Sequence, residues 1–441
     1  MSIETLWHVT VLSNLMRGYD KYARVYSKSR IAESAYPDRF FLLREDELEP
    51  GITKASSLIT KLGLPRNRLL ALRTTVRTTE LRENTRTGIG RYVERGSIVL
   101  DGVAWVEAGP RLVPVLLEEA CAMSLQLLQP DLHAFDALLP RSLSILPIAK
   151  GCQAACPFCF SDASASAEQD QARLNLTRLR EYAGAARARG AERFVITGGG
   201  EPGLVRHELL RDVIAVGSEA LGKTVLITNG HHLARRDQAQ RAQSLVDYHD
   251  AGLRVLAISR HHHDEARSAK LMSLETNVAS VARTWCDGRS RWPSLRLRFT
   301  CVLQRGAVDS LAELEDYMSW AAAKGVGELC FKELYVSTSI ESVYHRNAAN
   351  EWSHAHQVPL SLVLDFAAQN GFVEIAKLPW GAPVFSGEWR GRPMQIAAYT
   401  EPSLLWERSH GIARSWNLMA DGRCLVSLED RSSELKLSLS T

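Results

Sequence analysis

The chain has 441 residues, of which 45% are apolar and 23% are charged, and its formal net charge is +3. This is the composition of a globular protein long enough for more than one domain, and the small net charge gives no indication of a nucleic-acid partner. Residues 1–7 lack a basic stretch followed by an apolar one, so no secretory signal is predicted. No apolar run approaches ~18 residues, so no membrane span is predicted. Eight cysteines in so long a chain indicate reduced thiols and a cytoplasmic location.

Residues 1–140 differ from the rest of the chain in their arginine content. Eight arginines lie in Pro65–Arg95, against three glutamates. Gly96–Val106 predicts a β-hairpin that turns at Asp101-Gly102, and Leu112–Leu128 predicts a helix. We therefore expect a small α+β domain here. Its arginines could bind an acidic peptide or a phosphorylated substrate, but a solvated basic face is the commoner explanation of such a run.

Residues 141–340 alternate short β-type runs with helical stretches. The predicted strands are Ile145–Lys150, Arg193–Thr197, Thr224–Thr228, Leu253–Ser259, Leu295–Leu303 and Glu328–Tyr335. The predicted helices are Leu174–Arg189, His207–Leu221, Asp237–Asp250, Leu271–Cys286 and Ser310–Lys324. This alternation predicts parallel βαβ units with right-handed crossovers, and ligands are expected at the carboxyl ends of the strands.

Three cysteines with the spacing Cys-x3-Cys-x2-Cys follow the first predicted strand, at Cys152, Cys156 and Cys159. Three thiolates can hold three irons of a [4Fe–4S] cluster, which normally has four cysteine ligands, and they leave the fourth iron open. Zinc is one alternative, but zinc takes four ligands, usually as two separated pairs, and no second Cys-x2-Cys is present. A chance group of structural thiols is another alternative.

A glycine-rich motif, Thr-Gly-Gly-Gly-Glu-Pro over residues 197–202, ends the second predicted strand. Such a turn often packs tightly or binds phosphate, but the carboxylate of Glu201 would repel phosphate. Together with the cysteine triplet one βα unit earlier, this order of motifs resembles the radical S-adenosylmethionine (SAM) superfamily, from about Leu143 to the C-terminus. The resemblance implies the α/β class, a partial (β/α)6 TIM barrel over residues 141–340, and a [4Fe–4S] cluster and SAM as cofactors.

The resemblance also implies how the glycine-rich motif serves SAM. Gly199 and Gly200 let the backbone approach the methionine amine closely, because they have no side chain. Glu201, followed by Pro202, can accept hydrogen bonds from that amine.

Three further residues are expected at the cofactor. Phe158 occupies the position where the family places an apolar or aromatic residue against adenine, although simple loop packing is equally plausible for it. Ser259 ends the fourth strand, where the family often places a group on the ribose. Asn229, in a Thr-Asn-Gly turn at the end of the third strand, matches the molybdopterin-precursor-cyclase-like branch of the family.

Three consecutive histidines, His261, His262 and His263, follow the fourth strand. Side chains alternate along a regular strand, so the three cannot all face one metal ion. We expect them to contact substrate or to transfer protons. An exposed polar loop is the alternative.

The sixth predicted strand places Cys330, Lys332 and Leu334 on one face and Phe331, Glu333 and Tyr335 on the other. A charged side chain inside a barrel must be paired or must contact a ligand. The resemblance favours Glu333 as the catalytic residue, with Lys332 as the alternative. Cys330 could donate a hydrogen atom to a substrate radical, although a buried structural thiol is the commoner role of a lone cysteine.

Residues 341–441 are expected to form a C-terminal extension over the barrel. Trp416–Ser427 predicts a hairpin that turns at Asp421-Gly422. Related enzymes have cysteines for auxiliary clusters in this region, whereas here Cys424 stands alone and Ser427 occupies a position where a ligand would be sought. We predict no auxiliary cluster, so neither the cyclase activity nor SPASM-type peptide maturation transfers directly.

The resemblance implies that the reduced cluster cleaves SAM and that the resulting 5′-deoxyadenosyl radical takes a hydrogen atom from a substrate C–H. We expect a small polar metabolite of a biosynthetic or tailoring pathway, an N-terminal domain that closes the barrel, and a flavodoxin- or ferredoxin-type electron donor. The alternative is an enzyme that modifies a ribosomal peptide. A non-enzymatic iron–sulfur or zinc protein is a third class, but it would have no use for the Gly-Gly-Glu-Pro motif.

Overall fold

The computed structural model describes residues 2–11, 40–48, 69–83, 91–108, 111–116, 133–148, 151–160, 174–337, 342–344, 347–378, 381–402 and 404–437. The chain divides into two compact units. The first comprises Met1–Asp131 with Thr338–Ile340, and the second comprises Leu132–Ser337 with Glu341–Thr441. None of the helices in the described ranges is long and apolar enough to cross a membrane.

An antiparallel sheet of five strands forms the described part of the first unit, in the order β2-β1-β3-β4-β5. Its strands are β1 (Ser2–Val11), β2 (Phe40–Leu43), β3 (Leu69–Glu83), β4 (Arg91–Ala108) and β5 (Arg111–Leu116). The run of threonine and valine in β3 suits a strand, because β-branched side chains pack well on a pleated sheet.

The hairpin predicted at Asp101-Gly102 is wrong, because β4 continues through these residues. The pairing of β4 with β3 moves from Leu72↔Ala104 to Thr74↔Leu100, so the Asp-Gly pair lies in a bulge rather than in a turn. The predicted helix is wrong at its start, where β5 runs to Leu116, and the rest of it lies outside the described residues.

The second unit begins with a short strand and then contains all six predicted parallel strands as neighbours in chain order. The short strand is β6 (Leu139–Pro140). The six parallel strands are β7 (Ser142–Leu146), β8 (Arg193–Ile196), β9 (Lys223–Thr228), β10 (Val255–Ser259), β11 (Arg296–Leu303) and β12 (Glu328–Glu333).

Helices connect these strands as predicted, with two differences, of which one is the additional short helix α3. They are α1 (Leu176–Ala188), α2 (His207–Ala220), α3 (His231–Ala234), α4 (Gln238–Asp250), α5 (Glu265–Met272), α6 (Val278–Asp287) and α7 (Leu311–Ala323). The other difference concerns the helix predicted over Leu271–Cys286, which begins only at Val278 as α6, where Asn277 caps it. Its first two residues belong instead to α5, which ends where Ser273 adopts a left-handed conformation with φ 50°.

The remaining chain widens the sheet on both sides. Its elements are α8 (Ala348–His356), α9 (Ser361–Gln369), β13 (Val373–Lys377), β14 (Pro383–Trp389), β15 (Arg392–Tyr399), α10 (Leu404–His410), β16 (Ile412–Ala413), β17 (Trp416–Met419) and β18 (Cys424–Leu425). β15 lies parallel to β12, and β17 lies parallel to β7. The predicted C-terminal hairpin is confirmed, because β17 and β18 pair antiparallel.

The two faces of the six-stranded segment differ in what covers them. One face packs into the main core with the helices, as Phe194, Leu256 and Phe299 pack with Val213 and Leu314. The other, which we call the inner face, bears Val225, Val255 and Ala257 in a separate apolar cluster. Strand alternation therefore assigns every second residue of β8–β12 to the inner face.

Candidate active site

The loop after β7 bears the three predicted cysteines, with Cys152 and Cys159 exposed and Cys156 half-buried. The loop is held by a hydrogen bond from Ala155 N to Met272 O (2.8 Å). A zinc ion takes four protein ligands, whereas three thiolates from one loop can hold three irons of a [4Fe–4S] cluster.

The glycine-rich turn after β8 packs directly against this cysteine loop. Glu201 N donates a hydrogen bond to Gly151 O (2.8 Å). A Cβ atom on Gly199 would lie 2.8 Å from Ile148 O, and one on Gly200 would lie 2.1 Å from Gly151 O. The glycines are therefore required for the contact between the two loops.

Substitution of Gly200 by alanine is expected to separate the turn from the cysteine loop, because the new Cβ would overlap Gly151 O. We expect a loss of stability of about 1–3 kcal/mol and reduced retention of iron after reconstitution. Thermal denaturation and iron analysis measure both effects. Gly222→Ala is the matched control, because no atom lies within 4 Å of a Cβ there. Equal iron content in the two variants would contradict the role of this contact.

Glu201 is buried and bridges the carboxyl ends of β8 and β9. Its Oε1 accepts hydrogen bonds from Gly203 N (2.7 Å) and from the Thr228 hydroxyl, and its Oε2 accepts one from Asn229 N (2.8 Å). Burial raises the pKa of Glu201, although these hydrogen bonds oppose the increase. Both carboxylate oxygens therefore already bind the chain, so contact with SAM remains a prediction for Glu201.

Asn229 links the third strand to the cysteine loop. Its Nδ2 lies 3.8 Å from Cys152 Sγ and donates to Gln153 Oε1 (3.2 Å), while its Oδ1 accepts from His231 N (2.9 Å). The side chain is thus directed at Cys152, so it can position this predicted ligand. Whether it also contacts SAM remains a prediction.

Phe158, Ser259 and His261 lie at the same end of the sheet. The ring of Phe158 meets that of His261 edge-on, with ring centres 5.0 Å apart. His261 is buried, and its Nδ1 accepts a hydrogen bond from Val302 N (3.1 Å), so the neutral ring has its proton on Nε2. Burial, and then the charges of Arg260 and Lys332, lower the pKa of His261 to about 3. This histidine is therefore a neutral hydrogen-bond donor.

His262 and His263 lie beyond the strand, which ends at Ser259, so the alternation argument does not reach them. With Glu313 they form the one group of three possible metal-ligand residues in the described chain whose ligand atoms all lie within 4.8 Å of one another. However, Asp264 N donates to His262 Nδ1 (2.9 Å), which places the proton of the neutral ring on Nε2, 3.0 Å from Glu313 Oε2.

A metal ion would need the lone pair of that same Nε2 atom. Arg267 Nη1 also lies 2.6 Å from Glu313 Oε1 and already neutralises the carboxylate. The group is therefore a bridge between α5, α7 and the histidine loop. A contact of His262 or His263 with substrate remains a prediction.

Strand β12 places Cys330 and Lys332 on the inner face. Cys330 pairs with Thr300, which in turn pairs with the inner-face residue Ser259, and Lys332 pairs with Val302, two residues further along the same face of β11. Burial raises the pKa of Cys330 to about 11, so its thiol keeps its hydrogen.

Glu333 pairs with Leu303, which packs into the main core on the opposite face. Burial raises the pKa of Glu333, and the nearby Thr400 side chain and Leu360 backbone oppose the increase. The preference for Glu333 as the inner-face residue therefore conflicts with the structure. Alternation along β12 separates Lys332 from Glu333 correctly, but it does not determine which of them faces inward.

Sequence reasoning did not find a group of charged residues that the C-terminal chain brings to Lys332. Glu401 Oε1 contacts Lys332 Nζ, and Glu401 Oε2 contacts Arg414 Nη1. Glu401 follows β15, whose carboxyl end meets that of β12 because the two strands are parallel. The signal that could have found it is an acidic residue directly after a strand. Burial raises the pKa of the nearby Glu407 to about 7.

Residues 143–277 match the family model of the 4Fe–4S single cluster domain. The matched stretch contains the cysteine loop and the glycine-rich turn that packs against it. This match covers less than a third of the chain, and it supports a [4Fe–4S] cluster at the cysteine loop. Binding of SAM and radical SAM chemistry remain predictions from the order of motifs.

A search of curated protein sequences finds no match. Among solved structures, this chain is similar to Streptococcus suis SuiB bound to precursor peptide SuiA, with 15% identity, a TM-score of 0.43, and coverage of 71% of this chain and 64% of that chain. SuiB bound to S-adenosylmethionine has 16% identity to this chain and a TM-score of 0.44, and the match covers 73% of this chain and 69% of that chain. Escherichia coli coproporphyrinogen III oxidase (HemN), a radical SAM enzyme, has 12% identity to this chain and a TM-score of 0.36, and the match covers 56% of each chain. This chain spans less than two thirds of the first of these chains, and such weak similarities assign neither substrate nor partner.

Proposed function

We propose that this protein abstracts a hydrogen atom from a C–H bond of a small polar metabolite, at the inner face of a partial (β/α)6 barrel. When bound, the cluster and SAM supply a 5′-deoxyadenosyl radical. The observation that supports this function is the location of Phe158, next to Cys159, against His261 on the edge that also bears Ser259 and Lys332.

The residues of the chain would position the cofactors and the substrate, supply charge beside them and limit the access of water. Cys152, Cys156 and Cys159 would hold the cluster, and Asn229 would orient the first of them. His261 offers an Nε2–H that does not ionise near neutral pH, so it can orient a substrate oxygen without changing its charge. The half-buried rings of Phe158 and Trp352 lie 5.9 Å apart and would limit the access of water to this edge.

Although the substrate is unknown, the hydrogen atom that the enzyme removes can be traced by isotope labelling. The source organism is grown in deuterated medium, its extract is separated by size, and each fraction is incubated with reduced enzyme and unlabelled SAM. We expect deuterated 5′-deoxyadenosine with the low-molecular-mass fraction. Deuterium transfer only from the peptide fraction would favour the alternative, a peptide-modifying enzyme.

The same assay distinguishes the contribution of Lys332 to deuterium transfer from that of Glu333. Lys332→Met is expected to reduce deuterium transfer at least roughly tenfold, because a charge-assisted contact is worth roughly 1.5–3 kcal/mol. Glu333→Gln is expected to retain most of the transfer, since its carboxylate lies on the opposite face. Equal, mild effects of both substitutions, with intact cluster content, would show that neither residue contacts the substrate.

A further inference from the structure

The short helix α3, which the sequence did not predict, places His232 beside the donors that hold Glu201. The helix begins directly after Gly230, whose φ of 77° turns the chain at the end of β9. The buried ring of His232 lies against Gly203, where a Cβ atom would be 2.1 Å from His232 Nδ1. Gly203 N is itself a donor to Glu201 Oε1 (2.7 Å). The ring of His232 is therefore fixed next to this carboxylate.

Three buried side chains form a line that ends at Glu201. Thr228 Oγ1 donates a hydrogen bond to Glu201 Oε1 and accepts one from Gly230 N (3.0 Å). Thr228 Oγ1 lies 3.5 Å from His232 Nδ1, and His232 Nε2 lies 3.3 Å from the hydroxyl oxygen of Tyr248. Because these side chains are shielded from water, each polar atom depends on its neighbour in the line.

The donors and acceptors of this line can be assigned when Glu201 is ionised. Burial lowers the pKa of His232 to about 3, so its ring is neutral, with one N–H group and one acceptor nitrogen. The single hydrogen of the Thr228 hydroxyl goes to the carboxylate, so His232 Nδ1–H donates to Thr228. His232 Nε2 then accepts from Tyr248, and the hydroxyl group of Tyr248 thereby determines the tautomer of His232.

The line occupies one oxygen of Glu201 and leaves room at the other. Oε1 accepts from Gly203 N and from Thr228, which fills the two acceptor positions of a carboxylate oxygen. Among the described residues, Oε2 accepts only from Asn229 N (2.8 Å). Asn229 also approaches Cys152 Sγ with its Nδ2, at 3.8 Å, so a single residue links Oε2 to the cysteine loop. The open acceptor position on Oε2 is therefore the one that an ammonium group could use.

We infer that Thr228, His232 and Tyr248 are positioning residues for SAM, because they fix Glu201 with its Oε2 presented to the methionine ammonium. None of the three is expected to touch SAM. The inference rests on the proposed function, which requires SAM at the cluster. Without this line the carboxylate could turn and present either oxygen, so the affinity for SAM would fall while the cysteine loop stayed intact.

Equilibrium dialysis of SAM against anaerobically reconstituted full-length protein measures this role without SAM cleavage. Thr228→Val and Tyr248→Phe each remove one hydroxyl group with little change of shape. We expect Thr228→Val to raise the Kd for SAM roughly tenfold and Tyr248→Phe roughly threefold, because the contacts of His232 are long. Iron content should equal that of the wild type. Tyr182→Phe is the matched control and should leave the Kd unchanged, since Tyr182 is also buried but donates to Leu435 O (2.9 Å).

A double variant separates positioning from a purely structural role. If the hydroxyl group of Tyr248 acts through Thr228, Tyr248→Phe should have no further effect on the Kd in protein that already has Thr228→Val. Thr228→Ser keeps a hydroxyl group and should restore the Kd to within roughly twofold of the wild type. Independent effects of the two substitutions, or an unchanged Kd for Thr228→Val at wild-type iron content, would overturn the inference.

The comparison of Tyr248→Phe with Tyr182→Phe decides the question even where Thr228→Val prevents folding, because equal Kd values for the two would overturn the inference. Release of 5′-deoxyadenosine is measured separately on the same proteins. SAM that binds with the expected Kd values but yields no 5′-deoxyadenosine would contradict the proposed function alone. Normal release with one Kd for all variants would contradict the positioning role alone, and absence of SAM binding to wild-type protein with a complete cluster would contradict both.

Discussion

Alanine at Cys152, Cys156 or Cys159 is expected to abolish both cluster binding and SAM cleavage. The anaerobically reconstituted wild-type protein should hold about four irons per chain, and each variant should hold close to none. The reason is that each cysteine provides a separate thiolate ligand from one loop, so no other described thiol can replace it. Iron and sulfide analysis together with chromatography of 5′-deoxyadenosine measure both losses.

Cys286→Ala is the matched control for these variants. Cys286 is also a free, half-buried cysteine, but its Sγ donates to Lys324 O (3.4 Å), far along the chain from the cysteine loop. We expect unchanged iron content in this control. Stoichiometric zinc in wild-type protein purified without oxygen, or about four irons retained by a variant of the triplet, would contradict the assignment of these ligands.

Glu401→Gln is expected to have the largest effect on stability, lowering the free energy of unfolding by about 2–4 kcal/mol. The substitution removes the carboxylate that Lys332 and Arg414 share, so two cations remain close together with less compensation. The three side chains are 21–29% exposed, so solvent screening keeps the effect below that of a fully buried pair. Chemical denaturation measures it. Glu374→Gln, which breaks an exposed pair with Lys377, is the control and should change stability by at most about 0.5 kcal/mol.

The pH dependence of stability provides an independent test of Glu401. Burial alone raises the pKa of this carboxyl, but the charges of Arg414 and Lys332 outweigh burial and lower the pKa from 4.5 to about 2. A group with a lowered pKa in the folded state stabilises the protein above its unfolded pKa and loses that contribution as the pH falls. The wild-type protein should therefore lose stability between about pH 4.5 and 2, and Glu401→Gln should lose less there. Parallel curves for the two proteins would contradict the ion network.

The strands and helices between Ser142 and Ala323 could be predicted well, because each has a local signal. Apolar β-branched runs predict the buried parallel strands, and the periodic helices begin at capping residues such as Asn175, Asp237 and Ser310. The cysteine triplet and the glycine-rich turn were equally visible because their function depends on spacing within a few residues. The contact between them is tertiary, so the sequence did not reveal that Gly200 serves the packing of Gly151.

The charged group around Lys332 could not be predicted, because distant segments of the chain assemble it. Glu401 reaches Lys332 because β15 joins the sheet parallel to β12, and Arg414, from a later segment, contacts Glu401. Local residues of a hairpin such as β14–β15 predict its antiparallel pairing, but not the strand on its other side. The turn predicted at Asp101-Gly102 was wrong for a related reason. An Asp-Gly pair fits either a turn or a bulge, and pairing with the long strand β3 places it in a bulge.

The most direct test of the account is the fate of SAM on the reduced wild-type enzyme. After anaerobic reconstitution and reduction with dithionite, incubation with SAM should yield methionine and 5′-deoxyadenosine in equal amounts, slowly in the absence of substrate. Release should require the cysteine triplet and should stop without reductant. A protein that holds a complete cluster and binds SAM but releases no 5′-deoxyadenosine, with or without cell extract, would contradict the assignment of radical SAM chemistry to this site.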